Sequence, residues 1–466
     1  MTFFAELTPK QLWKHFDQIL TIPRGSKSEE GIRQYVISAA QTRGLECSVD
    51  SAGNIVVRKP GTDGFESAPM VALQCHLDMV NEKNSDVEHD FSRDAIRPVM
   101  DGAYLRADGT TLGADNGIGI AACLAVLEES SLRHGPLECL FTVDEETGLT
   151  GAAALSPEML SSTNLINLDS EEQESIYIGC AGGAGINITL PVEREAVPSN
   201  SSCYRVALTG LKGGHSGVDI HLQRGNAIQL LSRALSSVLH NRAFSLAGYK
   251  GGNMHNAIPR EAYADIAVPF GTEASLTRDL ESALEEIREE YEPVEPELEF
   301  FIDDGAPFES ALKSNSGRTV LNLLSVLPHG VLTMSYQIPD LVETSSNLAT
   351  ANVDEKALHI HMSYRSSTAS ALDGVALRVE AAAELAGAQA ERVEGYPGWQ
   401  PDVTSHLLRI AREVHQTTLG VEAKIKAIHA GLECGLIKEK YPAMDMISIG
   451  PQIEFPHSPD ERVEVN

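Results

Sequence analysis

The sequence predicts an α/β domain, with a mixed, largely parallel sheet flanked by helices, that is interrupted by an α+β domain. Up to about residue 185, apolar strand-like runs alternate with helical segments, which is the pattern of a parallel sheet. From there to about residue 394, pairs of strands alternate with helices instead. We therefore expect residues 1–185 and 395–466 to form one domain and residues 186–394 to form the other.

In the first part of the chain, the spacing of apolar residues predicts two helices. The first covers residues 28–42 and is closed by Gly44, and the second is an alanine-rich helix over residues 117–129. The glycine-rich run at residues 180–185 is typical of a hinge between domains. In the middle of the chain we predict strands at residues 203–209, 262–269 and 357–364, helices at residues 227–239 and 370–385, and a return linker at residues 395–399.

The composition favours a cytoplasmic protein that binds neither nucleic acid nor membranes. The 466 residues carry a formal net charge of −30, and no basic cluster is present to meet phosphate groups or anionic lipids. The seven cysteines are scattered without a Cys-x-x-Cys motif, which is typical of reduced thiols in the cytosol. No apolar run is long enough to span a bilayer, and residues 12–20 are too polar for the core of a signal peptide.

Five apolar, strand-like segments each lead into residues of the kind that bind metal ions. These residues are His76-Leu77-Asp78, Asp115-Asn116-Gly117, Asp144-Glu145-Glu146, Asp169 and His457-Ser458. Each motif is short enough to occur by chance, but the carboxyl ends of neighbouring parallel strands converge on one crevice. Two histidines together with four of these six acidic residues are the set that a two-metal hydrolytic site needs.

The residue types also indicate distinct roles. Zinc binds imidazole nitrogen and carboxylate oxygen, and Asp115 is suited to bridge two ions because the glycines beside it allow close approach. Asp78 follows His76 by two residues, so it can accept the far imidazole N–H and fix the tautomer. Glu145 and Glu146 are neighbours and face differently, so one can bind metal while the other serves as a general base for the attacking water.

Taken together, these motifs resemble the signature of the co-catalytic zinc peptidases, a family that includes aminoacylases, carnosinases and carboxypeptidases with a small lid domain. The resemblance runs from residues 23–26, Pro-Arg-Gly-Ser, to His457. It implies a zinc-peptidase catalytic domain interrupted by an α+β lid. It also implies the following roles: His76 and Asp169 on one ion, Glu146 and His457 on the other, Asp115 bridging, Glu145 as the general base, and Asp78 orienting His76.

The resemblance extends to the lid. His215, between Gly213-Gly214 and Ser216-Gly217, resembles the family histidine that stabilises the oxyanion. Arg365 resembles the arginine that binds the C-terminal carboxylate of the substrate. Gly431, in the segment 430–435 that resembles a backbone-binding loop, and Asn256 are further candidates for substrate binding.

The family resemblance implies hydrolysis of dipeptides with a free C-terminal carboxylate, with a broad specificity that can include Xaa-His dipeptides. It implies two divalent ions per chain, zinc first, although manganese and cobalt fit the same ligands, and a homodimer. The alternatives within the fold are an N-acyl amino acid deacylase or another short-peptide peptidase. A non-catalytic metal-binding protein is a third alternative, and Glu145 argues against it.

Overall fold

The chain divides into two compact units in the computed structural model, which describes residues 2–465. The first unit holds the chain up to Cys180, Trp399–Ala427 and the chain from Leu432 onward. The second unit holds Ala181–Gly398 together with the short segment Ile428–Gly431. For comparison, the sequence analysis placed its two boundaries after residues 185 and 394.

The elements before Cys180 begin the first unit. Its helices here are α1 (Lys10–Ile19), α2 (Glu30–Thr42), α3 (Ala114–Glu128) and α4 (Thr150–Ala154), preceded by a 3₁₀ turn at Thr2–Glu6. Its strands here are β1 (Glu46–Val49), β2 (Ile55–Lys59), β3 (Val71–His76), β4 (Pro98–Asp101), β5 (Tyr104–Ala107), β6 (Leu137–Thr142), β7 (Asn164–Asn167) and β8 (Ser175–Cys180).

The middle of the chain supplies the second unit. Its strands are β9 (Gly182–Pro191), β10 (Arg194–Ala196), β11 (Ser201–Thr209), β12 (Gly214–His215), β13 (Ser245–Gly251), β14 (Ala257–Ile258), β15 (Ala262–Pro269), β16 (Glu299–Asp304), β17 (Ser310–Leu312), β18 (Gly330–Met334), β19 (Val342–Val353), β20 (Ala357–Ser366) and β21 (Gln389–Tyr396). Its helices are α5 (Ala227–Leu239), α6 (Glu273–Tyr291), α7 (Ser314–Val326) and α8 (Ala369–Ala386), with a 3₁₀ turn at Ile220–Leu222.

The last part of the chain returns to the first unit. It contains α9 (His406–Leu419), β22 (Lys424–Ile428), α10 (Glu433–Lys440), β23 (Asp445–Ser448), β24 (Ile453–Glu454) and β25 (Arg462–Glu464). The predicted helices and strands are confirmed as α2, α3, α5, α8, β11, β15 and β20, with ends that differ by up to three residues.

The main sheet of the first unit is mixed, with a parallel centre, as the sequence predicts. Within residues 2–465 its strand order is β1-β2-β6-β3-β7-β23-β8-β22. Strand β3 is parallel to β6 and β7, and β7 is parallel to β23, whereas β1–β2, β2–β6 and β8–β23 are antiparallel pairs. The four central strands therefore end at the same edge of the sheet, where ligands bind in α/β folds.

Helix α3 is the central helix of this unit. It packs against β3 and α1, and its residues 116–121 are buried on every side, which explains why its sequence is apolar without a polar face. Around it lies one hydrophobic core, which includes Phe16, Val36, Leu77 and Phe141. This core fixes the start of α3, and with it Asp115, against the end of β3.

The second unit is an antiparallel sheet covered by helices on one face. Its strands follow the order β16-β11-β15-β13-β19-β20-β9-β21, and β18 pairs with β19. Leucines and valines of α5, α6, α7 and α8 pack with alternate residues of the strands in a single core. The residues between those buried positions form the other face of the sheet. Among the described residues, none of the helices has the length and apolar character needed to cross a membrane.

Candidate functional site

The parallel strands of the first unit deliver most of the predicted metal-binding residues to one edge. His76 is the last residue of β3, Asp169 follows β7 closely, and Glu146 lies in the turn after β6. Asp115 lies at the start of α3, and His457 follows β24. These five residues come from well-separated parts of the chain, yet they lie together.

Their side chains form two triads that share Asp115. His76 Nε2 lies 2.9 Å from Asp115 Oδ1 and 3.2 Å from Asp169 Oδ1. His457 Nε2 lies 3.2 Å from Asp115 Oδ2 and 3.1 Å from Glu146 Oε2. In each triad the ligand atoms lie within 4.8 Å of one another, so each group could hold a metal ion. Asp115 offers one oxygen to each triad, which is the geometry of a bridging carboxylate.

The ionisation of these groups also fits cations. Burial lowers the pKa of His76, but Asp169 and Asp115 raise it well above its usual value. Hydrogen bonds to Asp115 and Glu146 raise the pKa of His457 to about 11. Glu146 Oε1 is buried without a hydrogen-bond partner among residues 2–465. The crowded carboxylates therefore draw protons onto both imidazoles, and divalent ions would replace those protons.

Asp78 is fully buried behind His76 and has several hydrogen-bond donors. His76 Nδ1 lies 3.2 Å from Asp78 Oδ1, and Ser26 Oγ donates to Asp78 Oδ2 over 2.8 Å. The backbone N–H groups of Glu145 and Glu146 donate to the same carboxylate over 3.0 and 3.2 Å. Although burial opposes ionisation, the bond from His76 and these other donors hold the pKa of Asp78 below its usual range. Asp78 thus directs His76 Nε2 towards the triad.

The two neighbouring glutamates differ in their contacts. Glu146 lies against His457, whereas Glu145 groups only with His76 and Glu146 among possible ligands in the described chain. Burial raises the pKa of Glu145 well above its usual value, His76 lowers it, and Asp169 and Glu146 raise it further. Glu145 is therefore a carboxyl group beside the two triads that neither histidine binds.

Glu461 and Arg24 support the site, and the sequence analysis gave no role to either. Glu461 is buried and accepts hydrogen bonds from four successive backbone N–H groups, those of residues 112–115. Arg24 is buried and donates to the carbonyl oxygens of Leu77, Asp78 and Gly113. Gly113 has φ 70°, and a Cβ there would lie 2.6 Å from the Arg24 guanidinium, so only glycine fits. Glu461 and Arg24 together fix the turn that carries Asp115.

A second buried network was also missed. Glu433 accepts hydrogen bonds from Gln74 Nε2 over 2.6 Å and Thr142 Oγ1 over 2.7 Å, and burial raises its pKa to about 7. Gln74 Oε1 in turn accepts from Asn167, whose own Oδ1 accepts from the Asp169 N–H. A detectable signal was present, because a polar residue interrupts the apolar run near the end of β3, β6, β7 and β23.

In the second unit, His215 and Arg365 direct donors towards the same space. His215 Nδ1 accepts the backbone N–H groups of Gly217 and Val218 over 3.3 and 3.0 Å. Burial and then Arg365 lower the pKa of His215, so the neutral ring carries its proton on Nε2. Arg365 Nη2 lies 3.5 Å from that Nε2, and because both atoms carry protons, the pair brings two donors close together rather than forming a hydrogen bond.

Asn256 and Gly431 lie near Arg365 in the same unit. Arg365 Nη1 donates to the Tyr396 hydroxyl over 2.7 Å, and Asn256 lines the same cavity as both. A Cβ on Gly431 would lie 2.8 Å from the Tyr396 ring, so a larger residue there would displace Tyr396. One region of the second unit therefore holds all four of these candidates, Gly431 included, although the predicted boundary after residue 394 had placed Gly431 in the first domain.

The fold and the paired triads define a metal-dependent hydrolase with two ion-binding groups. The chain belongs to the Peptidase family M20/M25/M40, whose family description matches residues 72–466. This confirms the resemblance that the motifs indicate.

Relatives with known names cover nearly the whole chain. The cytosol non-specific dipeptidase of Escherichia coli (strain K12) is 43% identical over 466 residues, which is 100% of this chain and 96% of that protein. The crystal structure of aminoacylhistidine dipeptidase from Vibrio alginolyticus matches with a TM-score of 0.93 and 41% identity, covering 99% of this chain and 94% of that chain. Aminopeptidase PepT from Bacillus cereus ATCC 10987 shares the fold alone, with a TM-score of 0.56 and 16% identity over 98% of this chain and 94% of that chain.

Proposed function

We propose that the protein is a di-zinc metallo-dipeptidase that hydrolyses dipeptides with a free C-terminal carboxylate, Xaa-His dipeptides among them. The observation that carries this proposal is the pair of triads sharing Asp115. The name of the Escherichia coli relative supports dipeptides as substrates, and the name of the Vibrio alginolyticus relative supports aminoacyl-histidines.

His76 and Asp169 would hold one ion, Glu146 and His457 the other, and Asp115 both. When bound, two zinc ions polarise the scissile carbonyl and lower the pKa of the attacking water, and manganese or cobalt can supply the same chemistry. Asp78 keeps His76 in the tautomer that leaves Nε2 free for metal.

Glu145 acts as the general base. It takes the proton of the attacking water and passes it to the leaving amine, which is the role open to a carboxylate beside the triads that no histidine holds. In the second unit, the His215 Nε2–H donates to the oxyanion of the tetrahedral intermediate. Its tautomer supports this role, because the two backbone N–H groups on Nδ1 leave the proton on Nε2.

The substrate carboxylate binds Arg365. A guanidinium binds a carboxylate through two parallel N–H donors. Arg365 therefore selects substrates in which the C-terminus lies one residue from the scissile bond. Asn256 and Gly431 line the same region and contribute to backbone binding. We further propose that the first unit is the catalytic domain, that the second is the lid, and that the protein is a cytoplasmic homodimer.

One experiment separates this function from its alternatives. The purified protein is assayed with a panel of dipeptides beside the matching N-acetyl amino acids, and its metal content is measured. We expect two divalent ions per chain, turnover of the dipeptides, and loss of activity on chelation that zinc restores. Preferred turnover of N-acetyl amino acids would establish the deacylase instead, and full activity with one ion per chain would exclude the two-metal mechanism.

A further inference from the structure

Three strands of the second unit present a polar surface beside Arg365. Strand β9 lies between β20 and β21, and both pair with it antiparallel. Along β20, Ile360, Met362 and Tyr364 are buried in the core, so the residues between them face the other way. That polar face of β20 carries His361, Ser363 and Arg365.

Two glycines of β9 make room on this surface. Gly183 pairs with Arg365 and Gly185 pairs with Ser363. A Cβ on Gly183 would lie 2.8 Å from the Tyr396 hydroxyl, and a Cβ on Gly185 would lie 3.1 Å from the ring of His361. Neither glycine has a φ in the left-handed region, so these glycines provide space rather than backbone freedom.

The space above these strands is a cavity of about 330 Å³. Its lining includes His255, Asn256, His361, Ser363, Arg365 and Tyr396. His361 and Arg365 are four residues apart, or about 13 Å along an extended strand, so their side chains can meet opposite ends of one amino-acid residue. The volume lies at the small end of the range for ligand cavities, which suits a single side chain.

Polar atoms in this lining are available for a ligand. Ser363 Oγ and Arg365 Nε are buried and have no hydrogen-bond partner within residues 2–465. His361 Nδ1 lies 2.8 Å from the amide oxygen of Asn187, so this nitrogen carries the proton of a neutral ring. Burial, and then the nearby His255, lower the pKa of His361, which favours that neutral ring. The remaining nitrogen, Nε2, is consequently a hydrogen-bond acceptor.

We propose that this cavity binds the side chain of the substrate's C-terminal residue and that His361 determines its specificity. His361 Nε2 accepts a hydrogen bond from that side chain, so the cavity prefers side chains that donate, such as amides, hydroxyls and imidazoles. It disfavours apolar side chains and carboxylates of the same size. The inference rests on the proposed function, because Arg365 must hold the C-terminal carboxylate for the adjacent side chain to enter the cavity.

Three dipeptides of nearly equal size test the preference. Ala-Asn offers an amide donor, whereas Ala-Leu and Ala-Asp offer none at neutral pH. We expect kcat/KM for Ala-Asn to exceed that for each of the others by about tenfold, the effect of one neutral hydrogen bond. The variant His361→Phe keeps a flat ring without an acceptor, and both ratios should then approach one.

Two further variants make the result specific. His359 lies two residues earlier on the same strand and pairs with Asp354 outside the cavity. The variant His359→Phe should therefore keep the preference for Ala-Asn over both Ala-Leu and Ala-Asp. His361→Gln restores an acceptor oxygen and should recover most of the preference, and thermal unfolding of each variant verifies its fold. If the wild type cleaves dipeptides but His361→Phe keeps the ratios, or His361→Gln behaves like His361→Phe, the inference is overturned while the proposed function stands. If the wild type cleaves no dipeptide, the proposed function fails and the inference fails with it.

Discussion

In the first unit, the two carboxylates that position candidate metal ligands are held by other protein groups, whereas two polar groups on β20 of the second unit are not. Asp78 binds His76 and three further donors, and Glu461 binds four backbone N–H groups. In the second unit, Arg365 Nε and Ser363 Oγ are buried without a partner among the described residues. Buried polar groups are nearly always hydrogen-bonded, so the unpaired ones indicate where a ligand would bind. We infer that the candidate metal ligands are positioned in advance, and that the unpaired groups on β20 would be completed by a bound ligand.

The neighbouring glutamates give the largest expected effect and test the first half of this comparison. Glu145→Gln should retain both metal ions and lower kcat by about three to four orders of magnitude, since it removes only the proton acceptor. Glu146→Gln is the matched control, because it makes the same chemical change one residue along the chain. It should weaken metal binding, since Glu146 lies against His457. Metal content and kcat, measured on both variants, check this, and exchanged phenotypes would reverse the two roles.

Arg365 tests the second half of the comparison. Arg365→Ala should lower kcat/KM for dipeptides about a hundredfold or more, because a charge-assisted bidentate pair is lost. The wild type should also discriminate against C-terminally amidated dipeptides, and the variant should lose most of that discrimination. Metal content should stay the same in both proteins. Equal cleavage of free and amidated dipeptides by the wild type would show that Arg365 does not bind the carboxylate.

His215 should have the next largest effect. His215→Ala should lower kcat about a hundredfold at unchanged metal content, because only an interaction of the transition state is removed. Asp219→Asn is an informative companion variant. The Asp219 carboxylate accepts the backbone N–H of His215, so the substitution alters the support of His215 and leaves its imidazole ring intact. It should have a smaller effect on kcat. If His215→Ala raises KM with kcat unchanged, His215 binds the ground state instead.

Mixing variants tests whether His215 serves its own chain or a partner. Under subunit exchange, His215→Ala is combined with Glu145→Gln, and the formation of hybrid dimers is verified by mass. If His215 acts on the partner's site, one site in each hybrid has both residues intact and activity returns. If hybrids form and no activity returns, His215 serves its own chain.

The sequence predicted the fold and the convergence of the metal-binding residues because both follow from short-range patterns. Apolar runs located the strands, and a ligand-type residue after each run located the edge where they meet. Glu461 and Arg24 were not found, because each acts on backbone groups far away in the chain and no pattern around it reports that contact. Glu433 was overlooked for a related reason, since it begins α10 and its partners Gln74 and Thr142 lie on two strands far away in the chain. The polar residues at the strand ends indicate a buried network but do not show that Glu433 joins it. Supporting residues of this kind depend on tertiary contacts.

The smallest expected effect belongs to Glu461. It tests whether the protein holds Asp115 in place before a metal ion binds. Its two carboxylate oxygens accept two backbone N–H groups each, from the turn that leads into Asp115. Glu461→Gln replaces one oxygen by an NH₂ group, so two of the four N–H groups would face another donor. We expect about 10- to 100-fold weaker metal binding, as for other residues that orient metal ligands, with kcat near the wild-type value at saturating metal. Glu464→Gln removes the same charge from β25 without touching this turn and should bind metal like the wild type. If both variants weaken metal binding equally, Glu461 acts through its charge, whereas a loss confined to Glu461→Gln shows that its hydrogen bonds hold Asp115 in place.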